Sequence, residues 1–300
     1  MQEKHGAKGS KEIYKMEKYM NLIWEFIQFI FYSILIVTIS KYILVPILRK
    51  LAESLNLKAK TVGNISGIAT SVPELLTVCF SAFTGLADAS IYNIISSNIV
   101  NAIQYLASIY TNKNQRILNN RALRIDLVMV LLTILIPIIL VLTNIELKIS
   151  MVIFLILLFM LFYYINHQCH KLYLNKKTIQ EKQIEQEAKW VRGKKKIIIK
   201  YTIYLLITAV SLYIVGNLLS ETLNMLCLNF NISQVVIGIL LGFITSIPEL
   251  ITFFEAQKHH NKKENQEDGV IETTNNLLTS NMFNLFVIQS IGIIIYSLFN

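Results

Sequence analysis

Two glutamates, Glu74 and Glu249, stand inside apolar stretches of a chain with few charges. Each closes the same short motif, Thr70-Ser71-Val72-Pro73-Glu74 in one place and Thr245-Ser246-Ile247-Pro248-Glu249 in the other. A proline cannot donate to the carbonyl four residues back, so the oxygens of Ala69 and Ile244 are left free. A second polar run accompanies each motif. Asn93, Ser97 and Asn101 are spaced by four, as are Asn276, Ser280 and Asn284, and such residues share one helix face. Each set thus offers a carboxylate, hydroxyls, amide oxygens and loose carbonyls. All-oxygen sets suit hard cations, and Ca2+ takes about six to eight oxygens. No His or Cys joins in, which disfavours Zn2+ and Cu+. Two carboxylates balance one Ca2+, and are balanced equally well by Na+ or protons. That equivalence is the physical basis of exchange.

The elements that hold these residues are repeated. Gly67–Thr77 lies over Gly242–Thr252 at a constant offset of 175, and Asn93–Asn101 over Asn276–Asn284 at 183. The difference is an insertion near 257–268. Composition says what the elements are. Of 300 residues 54% are hydrophobic and only 16% charged, against about a quarter charged in soluble domains. Disordered, collagen-like and disulfide-rich classes are excluded. Cys79, Cys169 and Cys227 show no metal or disulfide spacing. Eight apolar helices are expected near 21–47, 60–83, 89–111, 124–144, 148–167, 197–220, 233–256 and 270–297, making an all-α integral membrane protein. An ionisable group at mid-membrane costs roughly 3 kcal/mol, so two in matched positions argue for a function. The competing reading is polar glue between helices, with Gly63, Gly67, Gly238 and Gly242 allowing close packing.

Lys and Arg set the orientation. They crowd the connections after the first, third, fifth and seventh helices and are nearly absent from the others. The net charge of +9 therefore reads as membrane loops, with no nucleic-acid partner. The expected organisation is a polar tail over 1–20, a first half over 21–167 with one repeat at 60–110, a basic cytoplasmic linker over 168–196, and a second half over 197–300 with the other repeat at 233–290. Both termini are expected outside a cell membrane. Lysines in 1–20 disagree with that placement, and a start at Met16 or Met20 removes most of them. The second and seventh helices run in opposite directions, so the repeats are inverted, an architecture of many secondary transporters.

TSVPEL with SSNIVN, and TSIPEL with TSNMFN, resemble the two α-repeats of the sodium/calcium exchanger family. The resemblance covers about 60–110 and 233–290. It implies a Ca2+/Na+ antiporter working by alternating access, with no enzymatic activity and no resident cofactor. It also implies an ion site built from Glu74, Glu249, Thr70, Ser71, Thr245, Ser246, Ser97, Asn101, Ser280 and Asn284, with the backbone carbonyls of Gly67 and Gly242 serving outer sodium sites. The sequence departs from the family in two ways. Asn stands at both 101 and 284, where many members carry one Asp, which opens the stoichiometry and the coupling ion. The second half is expected to have three helices where members usually have five, which leaves the family's last two helices unaccounted for. A proton-coupled Ca2+ exchanger, or a non-transporting exchanger-like protein that is degenerate or depends on a second exchanger-like chain for the missing helices, are the alternatives.

Overall fold

A computed structural model describes residues 3–44, 46–47, 50, 59–143, 149–174, 194–262 and 266–300. Inside lipid no water satisfies the backbone, so each segment must bond its own N–H and C=O groups. Every described element is accordingly helical. In chain order they are α1 (Glu3–Ile39), α2 (Ala59–Thr70), α3 (Val72–Phe83), α4 (Ala87–Thr111), α5 (Arg121–Leu142), α6 (Ile149–Leu174), α7 (Lys194–Asn224), α8 (Gln234–Thr245), α9 (Ile247–Lys262), α10 (Gln266–Met282) and α11 (Gln289–Phe299). Wider π-helical turns follow α1 and α7 and join α10 to α11. The polar stretch expected as a tail is helical from Glu3, because its Lys, Glu and Met residues are good helix formers. Likewise α6 continues to Leu174, past the expected boundary at 167. Residues 175–193, most of the expected linker, lie outside the described residues.

Seven segments are long and apolar enough to cross a membrane among the described residues. The expected helix over 89–111 is present as α4 but is not one of the seven, because Asn and Ser occupy its inward face. Burial sorts the rest. The most apolar windows of α2–α3, α8–α9 and α10–α11 are 61%, 50% and 50% buried, whereas those of α1, α5, α6 and α7 are 22%, 28%, 17% and 28% buried. The first group forms the centre with α4. The second group shields it from lipid on two sides. Phe29, Ile36 and Leu44 of the first segment interlock with Leu212, Leu219 and Leu223 of α7. On the other side Met129, Leu155 and Phe162 of α5 and α6 pack on Leu278, Leu285 and Phe286.

Two helices break at matched points. Ser71 separates α2 from α3 with φ −82° and ψ 2°, and Ser246 separates α8 from α9 with φ −79° and ψ −2°. The cause is Pro73 and Pro248, tolerated because each falls in the first turn of the following helix.

Lipid tails are as apolar as Leu, so helix association in a membrane depends on close packing and interhelical hydrogen bonds. Four glycines supply the first. A Cβ on Gly63 would strike the carbonyl of Glu272, and one on Gly67 would lie 2.6 Å from the carbonyl of Asn276. On the other side, a Cβ on Gly238 would lie 2.6 Å from the carbonyl of Ala89, and one on Gly242 would lie 2.5 Å from the carbonyl of Asn93. Helix α2 is thus pressed on α10, and α8 on α4. The pairs correspond by the same offsets, 175 and 183, that relate the repeats in sequence. The axis of this pseudo-two-fold runs between α4 and α10.

Candidate functional site

On that axis Asn98 donates to the carbonyl of Asn281 at 3.3 Å, and Asn281 donates to the carbonyl of Asn98 at 3.1 Å. Neighbouring bonds repeat the pattern. Asn101 donates to Ser280 Oγ at 3.4 Å and to Asn281 Oδ1 at 3.3 Å. Asn284 donates to Ser97 Oγ at 3.3 Å and to Asn98 Oδ1 at 3.1 Å. Each amide therefore commits its nitrogen to the opposite repeat. Its oxygen is left: Oδ1 of both Asn101 and Asn284 is buried with no hydrogen-bond partner among the described residues.

The broken helices close on this pair. Ser71 Oγ lies 2.8 Å from Ser280 Oγ, and Ser280 Oγ donates to Glu249 Oε1 at 3.2 Å. The equivalent contact runs from Ser246 Oγ to the carbonyl of Ser97, at 3.5 Å. Thr245 lies beside Glu74 and Thr70 beside Glu249, again across the repeats. Both are wholly buried. Neither oxygen of Glu74 has a hydrogen-bond partner among the described residues, nor do Glu249 Oε2 and Thr245 Oγ1. A buried acceptor left unpaired costs about 1–3 kcal/mol, and more when charged. Here unpaired acceptors converge from both repeats on one place. Every one is an oxygen, and the place carries two acids. Such an arrangement is unfavourable by itself and favourable around a cation.

The structure brings together all ten side chains expected at the site. It treats the two glycines differently. The carbonyl of Gly67 accepts from Ser71 Oγ at 3.0 Å, and that of Gly242 accepts from Ser246 Oγ at 2.7 Å. In this conformation those carbonyls are occupied, and the glycines act as points of close approach.

Sequence reasoning counted Asn93 and Asn276 among the oxygen-bearing runs and gave Thr77 and Thr252 no role, whereas the structure makes all four supports. Asn93 donates to Thr77 Oγ1 at 2.6 Å, and Asn276 donates to Thr252 Oγ1 at 2.9 Å. Thr77 and Thr252 in turn donate to the carbonyls of Glu74 and Glu249, at 3.0 and 2.9 Å. These bonds tie each glutamate's turn to α4 or α10. The repetition of the final Thr in both motifs is the signal that points to them. Asn98 and Asn281 were likewise visible as matched residues, but not as the contact on the axis.

A family model described as "Sodium/calcium exchanger protein" matches residues 25–168 and 200–300. The chain belongs to the sodium/calcium exchanger family. It is a multi-pass membrane protein of a family of transporters, and cation exchange is the family's activity. Three solved structures of the sodium-calcium exchanger NCX_Mj share the fold of this exchanger-family chain. The one soaked with 100 mM Na+ and 10 mM Sr2+ gives a TM-score of 0.52 at 20% identity. Those soaked with 2.5 mM Na+ and either 10 mM or 0.1 mM Sr2+ give 0.51 at 19% and 0.51 at 21%. Each likeness covers 91% of this chain and 83% of the other. No curated protein sequence matches the chain significantly.

Proposed function

We propose that this chain exchanges Ca2+ for Na+ by alternating access at the site between its two repeats. The observation that carries the reading is the pair of buried glutamates with three unpaired carboxylate oxygens, Glu74 Oε1 and Oε2 and Glu249 Oε2. A charge buried without a partner is strongly unfavourable, so a cation must complete the site. Glu74 and Glu249 supply charge. Thr70, Ser71, Thr245, Ser246, Ser97 and Ser280 supply hydroxyl oxygens, and Asn101 and Asn284 supply amide oxygens. The carbonyls of Gly67 and Gly242 also accept from the Ser71 and Ser246 N–H groups, and that of Gly67 from Thr70 Oγ1, so each joins only through the lone pair left when the hydroxyls turn away. Ca2+ bridging the carboxylates removes their repulsion, and Na+ ions do so equally in net charge.

The pseudo-two-fold supplies the alternation. Two inverted halves of equal construction have two conformations of similar energy, one open to each face. In this reading the Lys- and Arg-rich connections after α1, α4, α6 and α9 face the cytoplasm, as the positive-inside rule favours.

Purified protein in liposomes tests the reading. Outward-directed Na+ should drive Ca2+ uptake, and Glu74→Gln or Glu249→Gln should abolish it. Uptake that persists in both variants overturns the proposal. The same unpaired oxygens can hold protons, which is the second reading. Ca2+ uptake driven by a pH gradient with choline replacing Na+ would establish it. Ca2+ binding without flux under either gradient would leave a non-transporting protein.

A further inference from the structure

Away from the cation site, a crevice of about 310 Å3 lies where the first segment ends and α7 begins. Its walls are of two kinds. Ile43, Ile47 and Ile207 make an apolar side, while Tyr42, Tyr204 and Lys50 make a polar rim. Two further lysines are held beside that rim by aromatic faces. The Lys41 ammonium lies 4.4 Å from the Tyr42 ring centroid, and that of Lys200 lies 5.6 Å from the Tyr204 centroid. Such cation–π contacts fix an ammonium without neutralising it.

Position matters as much as chemistry. The apolar run of α1 ends at this level and that of α7 starts here, so the crevice sits at the boundary between acyl chains and water. Exposed tyrosines are typical of that depth. A soluble anion would engage the lysines and leave the isoleucines bare. A purely apolar molecule would fill the wall and leave the charge unanswered. A phospholipid with a net negative headgroup satisfies both, its phosphate among Lys41, Lys50 and Lys200 and an acyl chain along Ile43, Ile47 and Ile207. Basic pockets between transmembrane helices bind anionic lipids in this way.

We propose that the crevice between α1 and α7 is a binding site for one anionic phospholipid. The two helices already interlock through Phe29, Ile36, Leu212 and Leu219, and the lipid extends that contact to the membrane surface. None of the residues named at the crevice contributes to the cation cage, so this proposal and the exchange reading stand or fall separately.

Native mass spectrometry of the full chain tests it, with protein extracted from vesicles of phosphatidylcholine and phosphatidylglycerol at three to one. One phosphatidylglycerol should survive collisional activation that strips phosphatidylcholine. Lysine near a membrane surface is worth about a fivefold change in anionic-lipid affinity. Lys41→Gln/Lys50→Gln/Lys200→Gln should therefore lower retention of phosphatidylglycerol by more than tenfold. The single variant Lys50→Gln should lower it about fivefold, and Lys113→Gln/Lys258→Gln on other connections should leave it unchanged. Equal retention by the triple variant and the parent would overturn the proposal. So would equal retention of both lipids by the parent, which would make the crevice merely apolar. Displacement by millimolar glycerol phosphate would also overturn it, by showing that the headgroup binds without its chains.

Discussion

Replacing Glu74 by Gln should make the ion-free protein more stable while removing its response to Ca2+. In the parent both Glu74 oxygens are buried and unpaired. Each such acceptor costs about 1–3 kcal/mol. Glutamine removes the charge and keeps the shape. Its amide can donate to Thr245 Oγ1, which stands beside it and has no hydrogen-bond partner among the described residues. At least one unpaired acceptor on each side is thereby relieved, a gain of about 2 kcal/mol. For a large domain about 1 kcal/mol moves Tm by about 2–4 °C, so an increase of about 4 °C is expected. The assay is thermal unfolding of purified protein at pH 8, in EDTA with choline replacing Na+, then with Ca2+. In the parent, Ca2+ at a hundred times its dissociation constant should add about 2.7 kcal/mol. In Glu74→Gln that increment should vanish. Glu249→Gln should gain about half as much without ions, because Ser280 already satisfies Oε1. The reasoning is refuted if Glu74→Gln is less stable than the parent without ions and still stabilised by Ca2+.

Other consequences are as direct. Ser280→Ala removes the hydroxyl that joins Ser71, Asn101 and Glu249, and should weaken Ca2+ binding about tenfold, read by isothermal titration. Asn98→Leu and Asn281→Leu should each destabilise by about 1–2 kcal/mol, and a double-mutant cycle by chemical unfolding should show coupling of at least about 0.5 kcal/mol. Gly242→Val should force α8 from α4, since even a Cβ there would meet Asn93 O at 2.5 Å and Ser97 N at 2.8 Å. The expected result is overpacking by about 1–3 kcal/mol and a much lower yield of monodisperse protein in size-exclusion chromatography.

The cluster of buried oxygens was legible in the sequence because its pattern is local. Pro73 and Pro248 break a helix wherever they stand in one, and the duplicated motifs mark which polar residues belong together. Helix count followed from apolar runs, although α4 escapes a hydropathy criterion because its site-facing residues are polar. What stayed hidden depends on which helix faces which. Offsets of 175 and 183 say that Asn98 and Asn281 correspond, but not that corresponding residues touch. Only the pressing of Gly63 and Gly67 on α10, and of Gly238 and Gly242 on α4, brings the axis between those two asparagines. The hydroxyl caps on the Gly67 and Gly242 carbonyls were hidden for a simpler reason. A serine rotamer is not written in residue order.

The interruptions at Ser71 and Ser246 have an electrostatic consequence. Peptide dipoles along a helix sum to about half a positive charge at its amino end and half a negative charge at its carboxyl end. An unbroken span carries those poles to the headgroups, where water screens them. Here α3 and α9 begin in the interior, with Glu74 and Glu249 in their first turns, so each acid rests on a positive pole. The carboxyl ends of α2 and α8 finish beside the same place and turn negative poles toward an arriving ion. The backbone thus polarises the middle of the membrane before any side chain moves, and lipid, unlike water, does little to damp that field.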